Sequence, residues 1–204
     1  MKTPFAPFLR VIPGLLLLGV PVLRADEKPP APPALYERVE AKLATHPHRD
    51  ELGRPPAELR EVEWMLGEWT IETTVFADVP SATDSRPLGS TIISRVLNDC
   101  WLQMDDRYPD GGRDLGFLTF NVITQRWVSI GLDGYGNAVQ TTAERWQDGR
   151  AVFEAAAAEI IGEKVHLRQT IEKISPDEFL ITNAEYLADG TWRKLDEYRY
   201  RRRQ

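Results

Sequence analysis

From Trp69 onward, apolar residues recur at every second position in about ten short runs with turn residues between them, and the pattern lasts to the end of the chain. A chain reads this way when it closes into an antiparallel barrel. The stretch Trp64-Met65-Leu66-Gly67-Glu68-Trp69 opens it. A helix-like turn carrying Trp64 passes through Gly67 into a strand begun by Trp69, so the barrel is expected to be plugged at its start by a tryptophan.

In the first strand Trp69, Ile71, Thr73 and Val75 face one way and Glu68, Thr70, Glu72 and Thr74 the other, which gives one buried and one wet face. Further strands are expected over 88–98, 101–108, 113–122, 125–133, 138–146, 150–159, 164–174, 178–187 and 192–203. The links carry turn chemistry, as in Asp110-Gly111-Gly112, Gln147-Asp148-Gly149, Ser175-Pro176-Asp177 and Asp189-Gly190. They are short enough for hairpins, so neighbours in sequence should be neighbours in space. Four alanines at Ala155–Ala158 favour helix in isolation. The strand reading there rests on Val152 and Phe153 just before them, and on small residues suiting a crowded wall.

Ahead of the barrel, Leu35, Tyr36, Val39 and Leu43 recur at helical spacing and predict an amphipathic helix over 34–45, ended by His46-Pro47-His48. Leu59, Val62, Met65 and Leu66 predict a second short α-helix over 57–66. Residues 1–25 carry Lys2 and Arg10, then a 13-residue apolar run from Val11 to Leu23, then Ala25 before Asp26-Glu27. That order is an export signal, and the run is shorter than the ~20 residues of a spanning helix. Leu23 stands where a small residue is usual before the cut, which leaves an uncleaved anchor as the alternative. Residues 26–56 then form a proline-rich tether and the amphipathic helix, and 57–204 the barrel domain. Cleavage removes Lys2, Arg10 and Arg24 and no acid, taking the net charge from −6 to −9. Such a chain is repelled by phosphate backbones and anionic lipid, which argues against nucleic acid and membrane surfaces as partners. The sole cysteine, Cys100, cannot make an internal disulfide.

Residues 59–201 resemble the domain-of-unknown-function 1579 family of lipocalin-like barrels. The resemblance is carried by Leu66-Gly67-Glu68-Trp69, by Leu115-Gly116-Phe117-Leu118-Thr119-Phe120-Asn121, by Thr124 and Trp127 in the next hairpin, and by the closing Glu197-Tyr198-Arg199-Tyr200-Arg201. Phe120-Asn121 stands where the family's Gly-x-x-x-Tyr-Asp turn has Tyr-Asp. The resemblance implies an all-β fold: a single antiparallel lipocalin-like β-barrel of about ten strands, preceded by two short α-helices and the signal. It implies no activity. It also implies that Arg199 or Arg201 covers the Trp69 ring at the closed end.

Few residues suit catalysis. His46 and His48 precede the barrel, and His166 alternates with Arg168 and Thr170 on the expected outer face, so neither a triad nor a haem ligand is favoured. No cofactor or metal is expected. Asp105-Asp106 must split between the two faces, with Asp105 expected inward and paired with an arginine of a neighbouring strand. Cys100 reads as a small buried thiol without a basic neighbour. Asp133-Gly134-Tyr135-Gly136-Asn137 is a hairpin loop that could rim a pocket. The functional expectation is a non-enzymatic binding module for a small apolar or amphipathic molecule, using Trp69, Thr73, Thr119, Asn121, Tyr135 and Asn183. The alternative is a filled barrel that meets a protein partner through Leu35, Val39 and Leu43, and a cavity above ~300 Å³ separates the two.

Overall fold

Ten antiparallel strands close on themselves in strict chain order. They are β1 (Gly67–Val75), β2 (Arg86–Val96), β3 (Trp101–Arg107), β4 (Arg113–Asn121), β5 (Arg126–Leu132), β6 (Ala138–Ala143), β7 (Arg150–Ile160), β8 (Glu163–Ser175), β9 (Glu178–Tyr186) and β10 (Trp192–Arg202). The computed structural model describes residues 34–76 and 89–204 in full and the backbone of 86–88. The expected export signal therefore lies outside the described residues. Closure comes from β1 pairing with β10, with Ile71 opposite Tyr200 and Thr73 opposite Tyr198. The expected all-β barrel with two short helices is what the chain forms.

The chain divides into two units, Met1–Glu40 and Ala41–Gln204. The helix α1 (Leu35–Ala44) forms where the helical spacing predicts it and buries none of its residues. The second helix differs from expectation, because residues Ala57–Met65 form a 3-10 helix. Its apolar residues explain the choice. Leu59, Val62 and Met65 recur every third residue, which three residues per turn stacks on one face, and each is at most 1% exposed. Among the described residues no helix is long and apolar enough to cross a membrane. The alanine tract lies in β7, with a register shift between Ala155 and Ala158. The adjoining β6–β7 ladder narrows to the pair Thr142–Glu154.

One end of the barrel is closed by aromatic packing. Trp69 is fully buried and its Nε1 donates to the Met65 carbonyl at 2.8 Å. Phe179 meets Trp69 edge-on at 4.9 Å and stacks on Tyr200 at 4.2 Å. Trp127, Trp146 and Phe153 continue the layer. The arginine over Trp69 is Arg202, 4.1 Å from the ring centroid, and neither Arg199 nor Arg201. Strand parity decides this. Tyr198, Tyr200 and Arg202 share the inner face, whereas Arg199 and Arg201 share the outer one and pair there with Glu178 and Glu72. Arg202 also donates to the Leu66 and Trp64 carbonyls at 2.9 and 2.7 Å. Gly67 has a φ of +125°, and a Cβ there would stand 2.7 Å from Arg202 Nη1. Only glycine fits both conditions.

Candidate functional site

Beyond the aromatic layer the lumen opens into a cavity of about 340 Å³. Strand alternation places its lining. Met104, Leu118, Ile171 and Ile181 stand on the side nearer the aromatic layer, and Asp106, Asp114 and Asp196 lie one step or more closer to the other end of their strands. The register sets Asp106 directly opposite Asp114 and Asp196 opposite Asn183.

The inward member of the aspartate pair is therefore Asp106, which corrects the expectation for Asp105. Leu102 and Met104 share the parity of Asp106, and their burial sets the phase of β3. Asp105 faces outward, where the expected pairing with a neighbouring-strand arginine does occur. Arg113 donates to Asp105 at 2.6 Å and Arg107 at 3.0 Å. The Arg113 hydrogen bond, helped by Arg107, holds the Asp105 carboxyl below the usual range.

Inside, the shift has the opposite sign. Loss of hydration raises Asp106 to about 6, and the nearby charges of Asp114 and Asp105 add to it. Thr91 lies close enough to oppose this shift, yet its hydroxyl and Asp106 Oδ1 are both shut off from solvent outside hydrogen-bonding geometry. Asp114 accepts from the Tyr108 hydroxyl at 2.5 Å and from the Gly134 amide of the rim turn at 3.0 Å. Loss of hydration, then that bond to Asp114, push the Tyr108 phenol well above its usual range. Asp196 is also raised to about 6 by loss of hydration. It ends a directional chain across the lumen. The Ser129 hydroxyl donates to Gln169 at 3.1 Å, the Gln169 amide to Asn183 at 3.3 Å, and the Asn183 amide to Asp196 at 2.8 Å. Ser129 hydrogen-bonds an amide, which cannot serve as a general base.

The residues read from sequence as ligand contacts are not brought together. Asn183 lines the cavity. Thr73 faces inward and is buried, with no partner for its hydroxyl. Trp69 belongs to the plug, and Tyr135 is 89% exposed on the rim turn. The inward direction expected of Thr119 and Asn121 is corrected. Leu118 and Phe120 take the inner face of β4, so Thr119 donates outward to the Cys100 carbonyl at 2.6 Å. Asn121 accepts from the Ile123 and Thr124 amides in the β4–β5 turn. The lining groups that sequence reasoning missed are Asp106, Asp114, Asp196, Ser129, Thr141 and Gln169. The signal for Asp196 was its parity with the aromatic residues Tyr198 and Tyr200 of the closing strand.

Other candidate groups sit apart from the cavity. His166 is on the outer face, 3.7 Å from Glu154, as its alternation predicts. His48 bonds Glu51 at 2.8 Å and its amide donates to His46, so this histidine pair is tied to itself. Cys100 is half-buried where a buried thiol was expected, and that partial burial, with Asp99 beside it, raises the thiol. Among the described residues no cluster of three His, Cys, Asp or Glu could hold a metal ion. A wider depression of about 1050 Å³ lies where β6 and β7 separate. Several of its charges are already paired, as in Arg126–Glu144 and His166–Glu154.

Comparison with known proteins agrees with this architecture. The family described as "Protein of unknown function (DUF1579)" matches residues 54–202. No curated protein matches the chain. The crystal structure of Rv2717c from M. tuberculosis superposes with a TM-score of 0.50 at 13% identity, covering 74% of this chain and 99% of that one, which shows a shared fold. The structure of EF1p2_mFAP2b bound to DFHBI superposes with a TM-score of 0.32 at 12% identity over 72% of this chain and all of that one, a likeness too loose to bear on this protein.

Proposed function

The chain belongs to the DUF1579 family, and from that premise we propose that it is a non-enzymatic binding barrel for one small amphipathic molecule. The observation that carries this is the lumen cavity of about 340 Å³, with apolar walls on one side and a few fixed polar groups on the other. Pockets that hold small ligands begin at ~300 Å³ and have that composition. A side-chain-filled interior would have favoured the protein-partner alternative. The basic and apolar leader in residues 1–25 supports an exported carrier, and fractionation of the host cell tests that destination.

Native mass spectrometry of the protein purified from its own host tests the binding reading. The expected result is a retained small molecule in one-to-one ratio. A second measurement uses Gly131, a lining residue where an added Cβ meets open space. Gly131→Phe adds a ring at the cavity wall, so uptake of the neutral dye N-phenyl-1-naphthylamine should be lost while the melting transition stays cooperative. A chain that carries no adduct and takes up no dye would end the proposal.

A further inference from the structure

The cavity's charge is one-sided. Asp106, Asp114, Asp196 and, on the rim turn, Asp133, which Asn137 already bonds, line it, and no Lys, Arg or His does so among the described residues. We infer that its occupant is an organic cation, with an ammonium group among Asp106, Asp114 and Asp196 and an apolar tail toward Met104, Leu118 and Ile181. This inference rests on the binding reading above.

Carboxylates held away from water without a counter-charge are costly, and a cation entering the same space offsets that cost. The hydrogen-bond inventory points the same way. Thr141 lines the cavity at 3% exposure, and its hydroxyl has no partner among the described residues. Asp106 Oδ1 is likewise unpartnered. An ionised carboxylate only accepts, so the polar half of the cavity asks for donors, and a primary ammonium brings three. The Tyr108 and Tyr198 rings line the same level, and aromatic surface favours ammonium groups further. A bare metal ion does not fit, because no three carboxylates gather into one coordination shell. The acids come from three strands, β3, β4 and β10. An anionic head group would be repelled.

Displacement of N-phenyl-1-naphthylamine from the full chain provides the test, using octylammonium, octanol and octanoate below their micelle concentrations. At pH 8 octylammonium should displace the dye at roughly tenfold lower concentration than octanol, the discrimination expected when a charge-assisted hydrogen bond is gained, and octanoate should be weakest. At pH 5 that preference should shrink severalfold. Asp106 and Asp196 become protonated there, and the titratable groups acting on them are Asp114, Asp105, Tyr108, Tyr198 and Tyr200. In the double variant Asp106→Asn with Asp196→Asn the octylammonium-to-octanol ratio should fall toward one. Equal displacement by octylammonium and octanol, or octanoate acting first, overturns the cation while leaving a binding barrel. Failure of the dye to bind the unaltered protein, with no adduct retained from the host, removes the binding reading and this inference with it. Should the double variant not fold, the three-ligand comparison on the unaltered chain still decides.

Discussion

The two halves of the barrel lumen come from the same strands and the same alternation, yet they are opposites. In the plugged half, Trp69, Trp127, Phe153 and Phe179 are 0–1% exposed, and the polar atoms of Trp69 and Arg202 are matched to named carbonyls. In the cavity half, two carboxyls are raised to about 6, and Thr141 and Asp106 keep buried oxygens without partners among the described residues. Packing and the bonds of Trp69 and Arg202 stabilise the first half, although Trp146 Nε1 is buried there without a partner among the described residues, and desolvated charge destabilises the second. The division matches a general pattern in which binding sites occupy the less stable part of a fold that is secured elsewhere.

The contrast breaks most directly at the plug. Trp69→Ala should cost about 3–5 kcal/mol in denaturant unfolding, the range for removing a fully buried large aromatic. A loss under about 1 kcal/mol would mean that the closed end does not anchor the barrel. At the other end the sign reverses. The folded Asp106 carboxyl keeps its proton up to about pH 6, whereas the unfolded one releases it near 3.8. The native state thus binds the extra proton between those values, and stability falls as pH rises through that window. Asp106→Asn should therefore stabilise the protein by on the order of 3 kcal/mol at pH 7 and by almost nothing below pH 4, read from melts at both pH values. A destabilised variant at pH 7 would mean that Asp106 has an ionic partner inside the barrel.

Smaller effects sharpen the comparison. Arg202→Ala removes the bonds to the Leu66, Trp64 and Pro176 carbonyls, the ion pair with Asp177 and the cation over Trp69, and should cost about 2 kcal/mol. Arg199→Ala breaks outer-face pairs with Glu178 and Glu197 and should stay within about 0.5 kcal/mol. Equal losses would contradict the parity that separates the two arginines. Asp105→Asn should destabilise by about 1 kcal/mol at pH 7, opposite in sign to its neighbour. That loss should disappear as pH falls through the lowered Asp105 pKa, because the protonated carboxyl no longer holds Arg113 and Arg107 as an anion. Asp105→Asn and Asp106→Asn shifting stability in the same direction would show that the two residues do not face opposite sides.

Most of the fold was legible before any coordinates. A period of two, broken by turn residues, marks strands, and short links make successive strands neighbours, so ten strands in chain order required no tertiary information. Even the alanine tract could be placed, since Val152 and Phe153 commit β7 before the tract begins. The 3-10 geometry of residues Ala57–Met65 was also present in the spacing of Leu59, Val62 and Met65, although a three-residue period is easily taken for an α-helix over so short a stretch.

The site was much less legible, and the reason is physical. A period of two fixes that neighbours face opposite ways and leaves open which set faces inward. Where one set is plainly apolar the choice is forced, as in β1. In β4 both Phe117 and Leu118 could claim the core, so Thr119 and Asn121 could be assigned to either face until packing chose Leu118 and Phe120. Asp106, Asp114 and Asp196 face one cavity because closure aligns β3, β4 and β10 around it. Sequence alone determined the strands, their order and the tryptophan plug, because those follow from local alternation and turn chemistry. Only the tertiary structure decided which residues share the lumen, because inward phase and cross-strand register are set by packing the whole barrel at once.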